Sequence, residues 1–172
     1  MCDYSRTMLE SVTSGPKPSK GIEVDDGLDI TIKIPVQPRG KGRPRSTTKH
    51  PRVYTPKTTR EYQREIWAVI QPQIPRRIQG ALRVDAVFML KRPKSKMGRK
   101  WAEYIYCLSR PDIDNCCKAL WDSCAQAFDD QHVVATTMLK VYTTKPGDPQ
   151  LLLRIRRPPA DISAEIHRIM FE

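Results

Sequence analysis

Residues 110–132, RPDIDNCCKALWDSCAQAFDDQH, place two demands on one short segment. Ile113, Cys117, Leu120, Cys124 and Phe128 recur at spacings of four, three, four and four, the pattern of a helix with one buried face. Around that stripe stand the carboxylates of Asp112, Asp114, Asp129 and Asp130. Like charges brought close repel unless a cation or a proton sits between them. A fold for this chain has to bury the stripe and either keep the acids apart or neutralise them, and a helical segment between the two pairs offers a way to bring them together.

The acids stand out because the chain is basic. Thirty Lys and Arg against nineteen Asp and Glu give a net charge of +11 and a pI near 9.6, which favours a polyanionic partner, nucleic acid first. With 172 residues and 39% apolar content the chain suits a single domain with one hydrophobic core. No apolar run approaches the ~20 residues of a bilayer span, and the start lacks the basic and apolar regions of a signal peptide, so a soluble, cytoplasmic protein without a membrane partner is expected. The cysteines Cys2, Cys107, Cys116, Cys117 and Cys124 are odd in number and three share one predicted helix, which suits buried, reduced thiols. No C-x-x-C pair favours zinc.

In chain order, residues 1–28 lack apolar periodicity and read as a flexible tail, and residues 29–172 as the domain. From Asp29, Ile30, Ile32, Ile34 and Val36 alternate with polar residues, a half-buried strand that Pro35 ends or places at an edge. Between Arg39 and Arg60 the basic residues include Lys41, Arg43, Arg45, Arg52 and Lys57, with no acid among them. Gly40 and Gly42 loosen this stretch while Pro38 and Pro44 prevent helix, so it forms an extended loop suited to a phosphate backbone, or else a solvated charge run. Thr55 then caps a helix with Pro56 at its first position, running to about Ile70 on a stripe of Tyr62, Ile66 and Val69 or Ile70, with Tyr54 and Trp67 assigned to the core. Residues 81–90 alternate as a second strand and lead into a second basic loop, KRPKSKMGRK. Residues 103–108 form a short strand, VVATTMLKVYTT and LLLRIR form an antiparallel hairpin, and Ile162, Ile166 and Ile169 or Met170 mark a last helix that packs on this domain or on a second subunit.

Asp112 follows Pro111 and falls near the helix start, where an acid is also an ordinary cap contributing ~1 kcal/mol. Asp114 and Lys118 stand at i, i+4 on a shared side, an arrangement that a plain surface ion pair also explains. Capping does not account for Asp112, Asp114 and the Asp129-Asp130 pair together. Two or three carboxylates supply the hard oxygens that Mg²⁺ or Mn²⁺ requires. In a basic protein, a carboxylate-bound Mg²⁺ points to phosphodiester hydrolysis, with Lys118 offsetting charge on the phosphate.

PDIDNCCKALWD at 111–122 resembles the P-D-x-D-N-x-x-K-x-x-x-D block of the RusA family of Holliday junction resolvases, and DDQHV at 129–133 is similar to its D-D-x-Q-V segment. PVQPRGKGRPR followed by VYTPKTTREYQREI resembles the family's basic loop and helix start, so the likeness covers roughly residues 30–155. It implies Asp112, Asp114 and Asp130 as metal-binding carboxylates, Lys118 as the catalytic lysine, and a homodimer with two active sites across a four-way DNA junction in a bacterial or phage-infected cell. The segment before Asp129 is shorter than the family's and lacks its glycine, and His132 stands where the family carries Gln. Asp122 reads as structural support.

The expectation is an α+β domain, RusA-like, with a mixed or antiparallel sheet flanked by helices. Its expected activity is that of a Mg²⁺-dependent, structure-selective DNA endonuclease, with Lys41, Arg43, Arg45, Arg52, Lys57 and Arg110 on DNA. The alternatives are a less selective nuclease for flaps and forks, and a basic DNA-binding module without catalysis.

Overall fold

The structure, a computed structural model, describes residues 27–43, 45–46, 53–98, 102–144 and 147–171. The expected N-terminal tail falls almost wholly outside them. Five strands form one mixed sheet: β1 (Asp29–Ile34), β4 (Leu82–Leu90), β5 (Ile105–Tyr106), β6 (Val133–Tyr142) and β7 (Gln150–Arg156), in the order β1-β7-β4-β6-β5. β2 (Arg45–Ser46) and β3 (Val53–Tyr54) make a separate short ribbon. Three helices, α1 (Lys57–Ile70), α2 (Ile113–Cys124) and α3 (Ser163–Phe171), complete the α+β domain.

Alternation along the strands decides which face is covered. Ile32 and Ile34 of β1, Leu82, Val84, Ala86 and Phe88 of β4, and Leu151, Leu153 and Ile155 of β7 are buried on one side of the sheet. Onto them pack Tyr62, Ile66 and Ile70 of α1 with Cys116, Ala119, Leu120 and Cys124 of α2. Each fully buried Leu, Ile or Phe contributes about 1.5–3 kcal/mol, so this layer supplies most of the drive to fold. β1 is an edge strand that stops before Pro35, as expected.

Three local expectations shift. α1 starts one residue later than predicted: Pro56 occupies the cap position and no side chain caps the helix. The Thr55 hydroxyl is therefore not a cap; Tyr54 is 45% exposed, while Trp67 packs partly buried against the core. On α2 the buried face is Cys116, Ala119, Leu120, Ser123 and Cys124, whereas Ile113 is exposed and Cys117 half-buried. The face is rotated because Cys116, Ala119 and Ser123 are small and let the helix lie close to its neighbours.

The hairpin expected from β6 and β7 does not form. β4 lies between them, parallel to β6 and antiparallel to β7. β6 and β7 still run in opposite directions, but one strand stands between them, a lateral separation of about 9.5 Å. β4 is apolar along its whole buried row and, at Val87 and Met89, over the second half of its other face, and a central position pairs both its backbone edges.

The second face of the sheet carries charge. Asp85 accepts hydrogen bonds from Arg83, Arg156 and the Thr137 amide. Burial opposes its ionisation, yet the bonds from Arg156, Thr137 and Arg83 outweigh it and hold its carboxyl below the usual range. Arg83 also reaches Glu165 of α3 at 2.6 Å, but no residue of α3 is buried, and Ile166, Ile169, Met170 and Phe171 are exposed. Cys107, Cys116, Cys117 and Cys124 are free thiols, and burial pushes Cys116 and Cys124 up to about 12. Among the described residues no helix is long and apolar enough to cross a membrane.

Candidate active site

α2 begins three residues ahead of Cys116, the first residue of its buried face. Asp112 takes the cap position in extended conformation, and its carbonyl accepts from the Cys116 amide at 3.1 Å. Its carboxylate makes no capping hydrogen bond and is exposed, so the helix does not use it. Within the first turn, Asp114 accepts from Lys118 Nζ at 3.1 Å, with both side chains about 60% exposed. That bond holds the Asp114 carboxyl below the usual range and leaves it ionised at neutral pH.

The basic loop docks against this helix start through its glycines. A Cβ on Gly40 would stand 2.9 Å from Pro111 Cβ and 3.1 Å from Asn115 Cβ, and the Lys41 amide donates to the Asn115 carbonyl at 3.0 Å. The Gly42 amide donates to Thr59 Oγ1 at 3.2 Å, tying the loop to α1. Lys41 Nζ lies 2.8 Å from Asp122 Oδ2, which also accepts from Gln63 Nε2 at 3.0 Å. Asp122 thus joins the loop and both helices, as its supporting role requires.

Between loop and helix lies a cleft of about 690 Å³ lined by Gly40, Lys41, Arg43, Arg110, Pro111, Asp112 and Asn115. Three predicted DNA-contacting cations therefore share one concave surface with one predicted carboxylate. Lys57 does not line it; its ammonium is 3.6 Å from Glu61 on the open face of α1. Arg52 lies outside the described residues, and Arg45 is described only by its place in β2. Sequence reasoning did not single out Lys140, which donates to the carbonyls of Ser109 at 2.8 Å and Pro111 at 2.7 Å. A lysine between Leu139 and Val141 inside a strand pattern was the available signal.

Asp129 and Asp130 stand at the other end of α2. Arg77 pairs with Asp129 and also reaches the Ala125 carbonyl at the helix end, so Asp129 belongs to the closure of α2. Asp130 is exposed at the start of a short turn that leads into β6, and among the described residues none pairs with its carboxylate. Next to it, His132 Nδ1 is buried without a hydrogen-bond partner. The twelve residues of α2 span about 18 Å at 1.5 Å per residue. β6 returns along that length, reaching the Asp112 side only at Lys140, about 23 Å beyond Val133 at 3.3 Å per residue.

The two acidic pairs therefore do not converge within one chain, contrary to the expectation that the helix gathers them. Among the described residues no three His, Cys, Asp or Glu side chains form a metal-holding group. The donor chemistry at the α2 start still fits Mg²⁺, which binds through one or two carboxylates and completes its shell with water and substrate phosphate. Asp112 is uncapped and Asp114 is ionised, so both offer hard oxygens to solvent.

A one-sheet α+β protein whose cleft gathers Lys41, Arg43 and Arg110 with the carboxylate of Asp112 belongs to the class of small proteins that set several cations and an acid side by side on one concave surface. The family model described as endodeoxyribonuclease RusA matches residues 35–150, more than half of the chain, and the chain belongs to that family. Membership implies an endodeoxyribonuclease that resolves Holliday junctions. No curated protein matches the chain. The matched span holds every candidate residue named above.

Gly40→Ala should destabilise the protein by about 1–3 kcal/mol, because a fixed proline and a helix residue bound the space. Urea unfolding measures it, and a change below about 0.5 kcal/mol would show that the loop is not seated on Pro111 and Asn115.

Proposed function

We propose that the protein is a Mg²⁺-dependent, structure-selective endonuclease that resolves four-way DNA junctions as a homodimer, in the cytoplasm of a bacterial or phage-infected cell. The observation that carries this reading is the cleft in which Lys41, Arg43 and Arg110 face the uncapped Asp112.

Arg43 and Arg110, both exposed, would bind phosphates of the incoming strand and bring one of them against the α2 start. Lys41, held by Asp122, supplies fixed positive charge along the same path. Asp112 and Asp114 would hold Mg²⁺ (Mn²⁺ as a substitute), which when bound supplies polarisation of the phosphate and activation of water. Lys118, already hydrogen-bonded to Asp114, offsets charge that develops on the phosphate in the transition state.

Asp130 enters through the dimer. Within one chain it lies a helix length from Asp112, and Asp129, unlike Asp130, is already engaged by Arg77. A second copy that presents its own Asp130 to the Asp112-Asp114 end would complete a three-carboxylate site, and two-fold symmetry would create two such sites for paired nicks. The exposed apolar side of α3 is consistent with association.

Asp114→Asn should lower nicking of a synthetic four-way junction in Mg²⁺ by about 100-fold or more, the scale on which loss of one preorganised electrostatic group acts. Junction binding should be unchanged or tighter, since one negative charge near DNA is gone. An unmutated protein that binds junctions but never nicks them in Mg²⁺ or Mn²⁺ would be a binding module, and one that cuts flaps and forks equally well would lack the proposed selectivity.

Replacing Arg43 and Arg110 with Gln should flatten the dependence of log K on log salt by about 2, one for each lost phosphate contact. An unchanged slope removes them from the DNA path. Mixed and re-equilibrated, the inactive variants Asp114→Asn and Asp130→Asn should regain single-strand nicking, because a mixed dimer holds one fully intact shared site. If both variants are inactive and their mixture stays inactive, Asp130 does not act across the dimer.

A further inference from the structure

The segment that presents Asp112 is short and exposed, and something has to hold it. Ser109 and Arg110 are exposed, Pro111 is half-buried, and the Arg110–Pro111 peptide bond is cis. Its support comes from β6. Lys140 Nζ donates to the Ser109 carbonyl at 2.8 Å and to the Pro111 carbonyl at 2.7 Å, so one ammonium clasps both sides of Arg110. Ser109 Oγ and Tyr142 Oη lie 2.9 Å apart, and the Cys107 amide donates to the Lys140 carbonyl at 3.0 Å, so the same strand holds the approach to the clasp.

A lysine amid strand residues is costly to order, since its long side chain loses up to ~2 kcal/mol of rotamer freedom. Two short charge-assisted hydrogen bonds to carbonyls that flank the cleft offset that cost.

We propose that Lys140 is a positioning residue for the hydrolysis: it sets the Ser109–Pro111 backbone so that Arg110 and Asp112 face one another's cleft in a single geometry. It touches neither DNA nor metal and acts through Asp112 and Arg110. The role is the counterpart of the outer-shell partners that orient metal-binding side chains, whose loss typically weakens affinity or activity by about 10–100-fold. The proposal rests on the nuclease reading above.

The test compares Lys140→Met, which keeps length and removes the donor, with Lys140→Arg, which can still donate to both carbonyls. Lys140→Met should lower kcat for junction nicking by about 10–100-fold with KM within about twofold, and weaken Mn²⁺ binding by a similar factor in a calorimetric titration. Lys140→Arg should recover most of both. Independently of activity, exchange of the Cys116 and Lys41 amides, which donate to the Asp112 and Asn115 carbonyls, should quicken about tenfold in Lys140→Met while β4 and β7 keep their protection, a change that Lys140→Arg reverses. If the unmutated protein nicks junctions and Lys140→Met matches it in kcat and Mn²⁺ affinity, the positioning role is wrong and the nuclease reading stands. If losses in Lys140→Met follow a general loss of protection in β4 and β7, the residue only supports the fold and the proposal fails. If the unmutated protein neither nicks junctions nor binds Mn²⁺, the nuclease reading fails and the positioning role falls with it.

Discussion

Burial of Cys116, Ala119, Leu120 and Cys124 against the sheet fixes how α2 lies, and the rest of the site follows from that seating. Because the buried residues are mostly small, the helix sits close to α1 and β6, and its opposite side turns Asp114 and Lys118 to solvent. Its first turn then lies within reach of the basic loop, and its last turn within reach of Arg77. A helix that packed on Ile113 and Cys117 instead would turn the Asp114-Lys118 side toward the core, where an ionised carboxylate is poorly tolerated.

Ion pairing sorts the acids of this segment into two kinds. Asp122 is neutralised by Lys41 and Asp129 by Arg77, and in each case the pair joins separate elements of the fold. Such half-exposed pairs add little stability, but they fix geometry. Asp112 and Asp130 have no such partner among the described residues, and Asp114 shares only the exposed Lys118. Within residues 110–132, the two carboxylates left without such a partner, together with Asp114, are the residues that the family likeness marks out.

Much of this could be read from the residues in order. The alternation of Leu82, Val84, Ala86, Phe88 and Leu90 placed β4 and its buried face correctly, since a period of two admits few other readings. Pro35 ended an edge strand because it cannot donate to a ladder. α1 was displaced by one residue, because Thr and Pro in succession fit two cap registers equally well. The supposed β6-β7 hairpin failed for a different reason: a turn-rich connection indicates reversal of direction, and reversal is the same whether the strands are neighbours or separated by β4.

The sequence by itself determined which side chains could do chemistry. Carboxylates, a lysine one helical turn away and a cation run free of acids are matters of residue type and local spacing, and local spacing survives in any fold that keeps the helix. Only the tertiary structure decided which of them meet. It brought Arg43 to Asp112 through the close approach of Gly40, assigned Lys140 to the loop beneath, and set Asp130 a helix length away. Contacts between segments distant in sequence depend on strand order and helix seating, which are set by burial of the whole core, and no single motif carries that information.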